Sequence, residues 1–201
     1  MLNIEKYGNF KPLGKHKDKT QIILCHTSRE VEEYLTSLKF RYNGAYDRIP
    51  HYIIERTGLV KQLLPENSYT NFFTDQKINQ NTVVISLENL GWLERKPLSN
   101  YYINWIGSIY KEEVYEKKWR DYFFWQPYTD KQILSCVNLC KQLTESLPIE
   151  RKCIGHNTKI DGITRWGGII SRSNIESKYT DLNPSFNFEN FTKLIENEQY
   201  A

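Results

Sequence analysis

Thr82-Val83-Val84-Ile85-Ser86-Leu87 is the stretch that most restricts what this chain can fold into. Its β-branched residues favour extended backbone, and its apolar side chains occupy both alternating sets of positions rather than one. A strand of that kind is buried on both faces, which places it in the interior of a sheet with helices on either side. A second run of the same character, Ile22-Ile23-Leu24-Cys25, lies far upstream and ends in His26.

The segments around these two runs carry their own local signals. Thr27-Ser28-Arg29-Glu30 has the T-x-x-E spacing of a capping box, and Val31, Tyr34, Leu35 and Leu38 then recur at helical spacing until Asn43-Gly44. Two apolar runs, 51–56 and 59–64, are split by Thr57-Gly58, which predicts a hairpin. Thr129-Asp130-Lys131-Gln132 is a second capping box, opening a helix that stops at Pro148. On that helix Cys136 and Cys140 share a stripe with Ile133, Val137, Leu143 and Leu147, so we read them as core thiols rather than a metal pair. Residues 152–155 are expected to form the last strand, 157–185 a long loop containing Gly162 and Gly167-Gly168, and 187–197 a terminal amphipathic helix.

Two stretches fall outside that pattern. Residues 1–20 are polar and Lys-rich and read as an N-terminal arm. Residues 90–128 hold Trp92, Trp105, Trp119 and Trp125 without a clear period, and read as an aromatic-rich insertion. Its aromatics either pack it onto the core or wall a substrate groove. The order of elements predicts the α/β class: one domain spanning 1–201, with a central mixed β-sheet flanked by helices.

The bulk numbers exclude several classes. With 39% hydrophobic and 25% charged residues in a chain of 201, a packed core is expected and disorder is not. No run approaches the roughly 18 apolar residues of a membrane span. A formal charge of +3 with no basic stripe argues against nucleic acid, and four cysteines do not make a disulfide framework.

The chemistry-bearing residues cluster at run ends. His26 ends one apolar run, His156 follows Cys153-Ile154-Gly155, and Tyr179-Thr180-Asp181-Leu182-Asn183-Pro184 lies further on. A histidine where a buried strand meets a loop is presented to solvent and substrate. Two such histidines and one aspartate make a three-ligand zinc site with its fourth position open to water.

Five segments together resemble the zinc-dependent N-acetylmuramoyl-L-alanine amidases of the type 2 family, which share their fold with peptidoglycan recognition proteins. They are IILCHTS, PHYIIERTGLVKQLLPE, NTVVISLENLGWL, IGHNTKI and YTDLNPSFNF, in the family's order over roughly 21–90 and 129–192. The resemblance implies Zn2+ held by His26, His156 and Asp181, with Asp161 as a rival third ligand because 157–180 is longer than the common spacing. It implies hydrolysis of the amide between N-acetylmuramic acid and L-alanine, with peptidoglycan or a muropeptide as substrate.

This chain departs from the family where protons move. Many members carry a general-base Glu at the position aligned with Ser86. Glu88 lies two residues on and shares that side-chain direction, so Glu88 is the expected base. A Lys two residues before the third ligand is replaced here by Tyr179, with Lys178 adjacent; Tyr179 is the expected donor to the oxyanion. Pro50 stands where other members carry a Tyr. His51 is expected to line the site, Asn89 and Trp92 to contact substrate, and Cys25 to face the core. A non-catalytic peptidoglycan-binding protein on the same fold is the alternative. The opening residues lack a signal peptide's apolar segment, so synthesis in the cytoplasm is expected; a monomer is the expected state. It would act on the cell wall after release, or on cytosolic muropeptides.

Overall fold

The computed structural model describes residues 2–8, 10–155 and 160–197. Its main sheet has six strands in the order β1 (Ile4–Lys6), β5 (Val60–Gln62), β4 (Tyr52–Ile54), β7 (Thr82–Leu87), β3 (Gln21–His26), β13 (Gly168–Ser171). The sheet is mixed. β7 runs parallel to both β4 and β3, β3 is parallel to β13, and the β4–β5 hairpin is antiparallel. The strand expected to be central is central.

Its two buried faces explain its composition. On β3, Ile22 and Leu24 join Val83, Ile85 and Leu87 of β7 on one face, against Val137, Leu139 and Leu143 of α3 (Asp130–Ser146) and Phe191 and Ile195 of α4 (Phe188–Glu196). Ile23, Cys25 and Val84 face the other way, onto Phe72, Phe73 and Ile78, the last from α2 (Gln76–Asn81). On the same side Ile53 packs on Val31, Leu35 and Leu38 of α1 (Val31–Phe40). Each fully buried aliphatic side chain contributes about 1.5–3 kcal/mol, so a polar substitution anywhere along β3 or β7 is costly.

The second capping box forms as expected: Gln132 N–H donates to Thr129 Oγ1 at 3.1 Å and Thr129 N–H to Gln132 Oε1 at 3.2 Å. The first does not. Glu30 is the N-cap of α1 but makes no side-chain cap bond, and Thr27 Oγ1 instead donates to Arg29 O and accepts from Asn89 N–H. A distant carboxylate, Glu88, takes the Val31 N–H at 2.9 Å.

The expected last strand at 152–155 is reduced to one bridge between Cys153 and Ile169. The edge strand is β13, inside the stretch read as loop. Gly168 permits this at φ 119°, because a Cβ there would lie 2.7 Å from Lys152 O. The N-terminal arm is also paired: β1 lies along β5, and β2 (Gly14–Lys15) along β6 (Ser68–Tyr69).

The insertion folds as a separate antiparallel sheet in the order β10 (Ile109–Tyr110), β9 (Tyr102–Ile103), β8 (Trp92–Arg95), β12 (Tyr122–Trp125), β11 (Tyr115–Trp119). Trp125 is fully buried, and its indole N–H donates to Lys117 O at 2.8 Å. Among the described residues, no helix is long and apolar enough to cross a membrane.

Candidate active site

A cavity of about 850 Å³ opens beyond the carboxyl ends of β3 and β7, where sheets with parallel strands collect ligands. His26, the last residue of β3, reaches it, as does Asp181. Asp181 Oδ1 lies 3.4 Å from His26 Nε2 and accepts the His26 backbone N–H at 2.7 Å. Asp181 is 2% exposed, and its carbonyl takes the Ser173 N–H at 3.1 Å, so the carboxylate is fixed from its own loop as well.

The surroundings hold the imidazole in one orientation. The Tyr128 hydroxyl stands 3.4 Å from His26 Nδ1. In the tautomer with its proton on Nδ1, the ring donates to that oxygen and turns the Nε2 lone pair toward Asp181, as a metal ligand requires. Burial lowers the imidazole's affinity for a proton, and the opposing charge of Asp181 does not restore it. The shift favours the neutral ring, the form in which an imidazole can ligate a metal. Gly91 at φ 78° makes room for it, because a Cβ there would stand 3.0 Å from Nε2.

That geometry fits a divalent ion. A tetrahedral zinc with bonds of about 2.0–2.1 Å separates two of its ligand atoms by about 3.3–3.4 Å. The observed 3.4 Å matches. Among the described residues no three His, Cys, Asp or Glu side chains converge on one point. The third expected ligand, His156, lies outside the described residues. Asp161, the rival to Asp181, is exposed and does not line the cavity.

The other expected site residues divide. Trp92 and Tyr179 line the cavity, and Trp92 stacks on Tyr122 with ring centroids 4.5 Å apart. Glu88 does not reach it. Both its oxygens accept backbone N–H groups, from Val31 and from Arg56, each at 2.9 Å, so the carboxylate caps α1 and closes the hairpin end. Ser86 is fully buried, with Oγ 3.0 Å from Cys25 Sγ, on the core side as expected for that thiol.

His51 is 2% exposed inside the sheet: Nδ1 accepts the Val84 N–H at 3.0 Å, so the proton sits on Nε2 and is donated to Ser68 O at 2.9 Å. Burial lowers its pKa to about 3. It ties strands together and does not line the cavity. Asn89 is fully buried and ties three segments, donating to Gln126 O and accepting from Gly91 N–H and Asn183 Nδ2. Asn89 does not line the cavity either.

Sequence reasoning missed Gly91, Tyr128 and Arg172. Arg172 follows β13, lines the cavity, and is held with the guanidinium carbon 3.5 Å from the Tyr179 ring centroid. Burial alone would ease its proton off, but Asp181 and Glu176 more than offset this, so it stays a cation. Tyr128 and Gly91 carried no pattern at all; only their contact with His26 marks them.

Solved structures of similar fold are peptidoglycan amidases. The endolysin N-acetylmuramoyl-L-alanine amidase LysCS from Clostridium intestinale URNW superposes with a TM-score of 0.58 at 12% identity, covering 98% of this chain and 97% of its own. AmiD from E. coli, solved with anhydro-N-acetylmuramic acid-L-Ala-D-γ-Glu-L-Lys, gives 0.56 at 14% identity, covering 92% and 60%. Staphylococcus aureus AmiA, in complex with its ligand, gives 0.52 at 9% identity, covering 96% and 80%. No curated protein sequence matches significantly. The family model described as N-acetylmuramoyl-L-alanine amidase matches residues 16–167, which is most of the chain. The chain therefore belongs to the N-acetylmuramoyl-L-alanine amidase family and is an enzyme of that class.

Proposed function

We propose that the protein hydrolyses the amide between N-acetylmuramic acid and L-alanine in peptidoglycan or muropeptides, with Zn2+ held by His26, Asp181 and His156. The observation that carries this reading is the His26 Nε2–Asp181 Oδ1 separation of 3.4 Å at the mouth of the cavity. When bound, zinc supplies a Lewis acid that lowers the pKa of a water and polarises a carbonyl. Tyr128 contacts His26 Nδ1, and Gly91 leaves the imidazole clear. Trp92 on Tyr122 gives the cavity an aromatic wall of the kind that packs against a sugar ring. The muropeptide complex of the E. coli protein supports a substrate of this size and chemistry. The likeness to a clostridial endolysin supports a role in cell-wall degradation.

The test is digestion of purified peptidoglycan with and without added zinc, read by mass spectrometry. Free L-alanine amino termini with intact glycan strands, lost in His26→Ala and Asp181→Ala, are the expected result. Cleavage at another bond, or release indifferent to both substitutions, overturns the reading. Peptidoglycan binding without any release would instead favour the non-catalytic alternative, to which the diversion of Glu88 and the presence of Ser86 would then point.

A further inference from the structure

We propose that Arg172 is the residue that binds the oxyanion formed when the substrate amide is attacked. The proposal rests on the amidase reading above and names a residue for its least provided step. Attack by water oxygen forms a C–O bond and moves the carbonyl π electrons onto oxygen. Collapse reforms the carbonyl and breaks the C–N bond. Both water protons finish on the departing alanine nitrogen, leaving an ammonium and a lactyl carboxylate. Arg172 exchanges no proton in this sequence; it supplies fixed charge and N–H donors where negative charge appears.

Three features of its surroundings support this. First, the guanidinium is largely enclosed, its side chain 13% exposed, yet only Nε is engaged, donating to Glu176 Oε2 at 2.8 Å. Among the described residues, Nη1 and Nη2 have no hydrogen-bond acceptor, and they are not sealed off from the cavity that Arg172 lines. An enclosed cation that opens only its Nη donors onto the cavity presents them to an anion formed there.

Second, the group cannot swing away. The Tyr179 ring lies 3.5 Å from the guanidinium carbon on one side, Phe72 stands at 5.2 Å, and Glu176 pins Nε. Such preorganisation is what makes a donor effective as charge develops. Tyr179 then acts as a positioning residue for Arg172.

Third, Arg172 belongs to the Asp181 loop: the next residue, Ser173, donates its N–H to Asp181 O at 3.1 Å, and Asp181 is the charge that most favours the cation. Of the other basic side chains lining the cavity, Arg29 pairs with Glu33 at 3.2 Å, Arg41 lies over Tyr42 and Tyr46, and Lys178 is exposed. Arg120 lies over Trp119 with 4.6 Å to the ring centroid, and half-buried Arg48 is the one left as a rival, to be compared as Arg48→Gln.

The experiment compares Arg172→Gln, Arg172→Lys, Arg172→Ala and Arg48→Gln with wild type on a purified muropeptide, with melting and zinc stoichiometry checked for each. The expected result is a kcat lower by about 10²–10³-fold in Arg172→Gln with KM within about threefold. Arg172→Lys retains part of the rate, and millimolar guanidinium restores part of it to Arg172→Ala. A merely structural arginine would not be rescued by free guanidinium. A rise in KM at unchanged kcat, a loss of kcat that guanidinium does not relieve in a normally melting variant, or the kcat loss falling on Arg48→Gln instead, overturns the proposal. If Arg172→Ala does not fold, the Gln and Lys variants decide by the same kcat and KM criteria. A reading independent of turnover is calorimetric binding of a phosphinate analogue of the muramyl–alanine bond. Wild type should bind it at least about 50-fold more tightly than Arg172→Gln, and equal or absent binding overturns the assignment. Wild type that binds the analogue but leaves the muropeptide intact would defeat the amidase reading and the oxyanion role with it, whereas a muropeptide hydrolysed equally well by wild type and Arg172→Gln would defeat the Arg172 assignment alone.

Discussion

Glu88→Ala and Glu88→Gln should damage stability and spare catalysis. The carboxylate accepts two backbone N–H groups at 2.9 Å, one at the start of α1 and one from Arg56. A hydrogen bond to a charged group contributes about 1.5–3 kcal/mol, and a negative charge at a helix N-terminus about 0.3–1 kcal/mol more. Glu88 is only half-buried, so water replaces part of what is lost, and the low end of each range applies. Glu88→Ala should therefore cost about 3 kcal/mol. In a protein of this size each kcal/mol lowers Tm by about 2–4 °C, so the melting point should fall by about 6–12 °C. Glu88→Gln keeps one acceptor oxygen and should fall by about half as much. The assay is calorimetric melting alongside kcat/KM per folded molecule, measured well below the lowest midpoint, and the rate should stay within about threefold of wild type. A general base contributes about 10²–10⁴-fold. A Glu88→Gln protein that melts like wild type but has lost two orders of magnitude in kcat would refute the capping argument and make Glu88 the base after all.

Gly91→Ala should weaken zinc binding by about tenfold or more in equilibrium dialysis, since the new Cβ meets His26 Nε2 at 3.0 Å on a backbone at φ 78°; an unchanged affinity would show that the imidazole has room to spare. His51 is neutral in the fold, with its pKa lowered from 6.5 to about 3, so the unfolded chain binds the extra proton between those values and stability falls as pH drops through that window. Denaturant melts from pH 7 to 3.5 should show this loss, and His51→Gln should flatten the slope if the residue is its source. Asn89→Ala should destabilise by about 2–4 kcal/mol through unpaired buried partners around Gln126 and Asn183, with the KM of surviving folded enzyme unchanged; a selective rise in KM would restore Asn89 as a substrate contact.

The elements legible in the chain were those whose signal is local. β3 and β7 are runs of β-branched residues, α3 has a capping box on an apolar stripe, and the hairpin is marked by Thr57-Gly58. β13 was not legible. Its apolar content is Ile169-Ile170 flanked by Gly167-Gly168, a turn signal in isolation, and what makes it a strand is pairing with β3 and the approach of Lys152 O. The α1 cap failed for the same reason. Thr27-x-x-Glu30 satisfied the spacing rule, but Glu88 is 57 residues away from the N–H it satisfies, and no window along the chain contains both.

The side-chain parity of β7 explains why Glu88 could be expected at the site and yet be absent from it. β3 and β7 are in parallel register, with Cys25 opposite Ser86 and His26 opposite Leu87. Cys25 and Ser86 therefore point to one face, where their Sγ and Oγ atoms meet. His26 continues the alternate set, toward Tyr128 and the α3 side. Glu88, two residues beyond Ser86, returns to the Cys25 face. That face is covered by α1, whose first N–H groups attract a carboxylate. A slide of two residues along the strand would leave the face unchanged, and the one-residue bulge that would turn Glu88 toward the imidazole is absent from the continuous β3–β7 register. The partner of His26 comes instead from Asp181, 155 residues away, on the loop that also carries Arg172. Asp181 and the guanidinium of Arg172 thus share one segment after β13, and the charged groups that line the cavity beside His26 come from there rather than from the central strand.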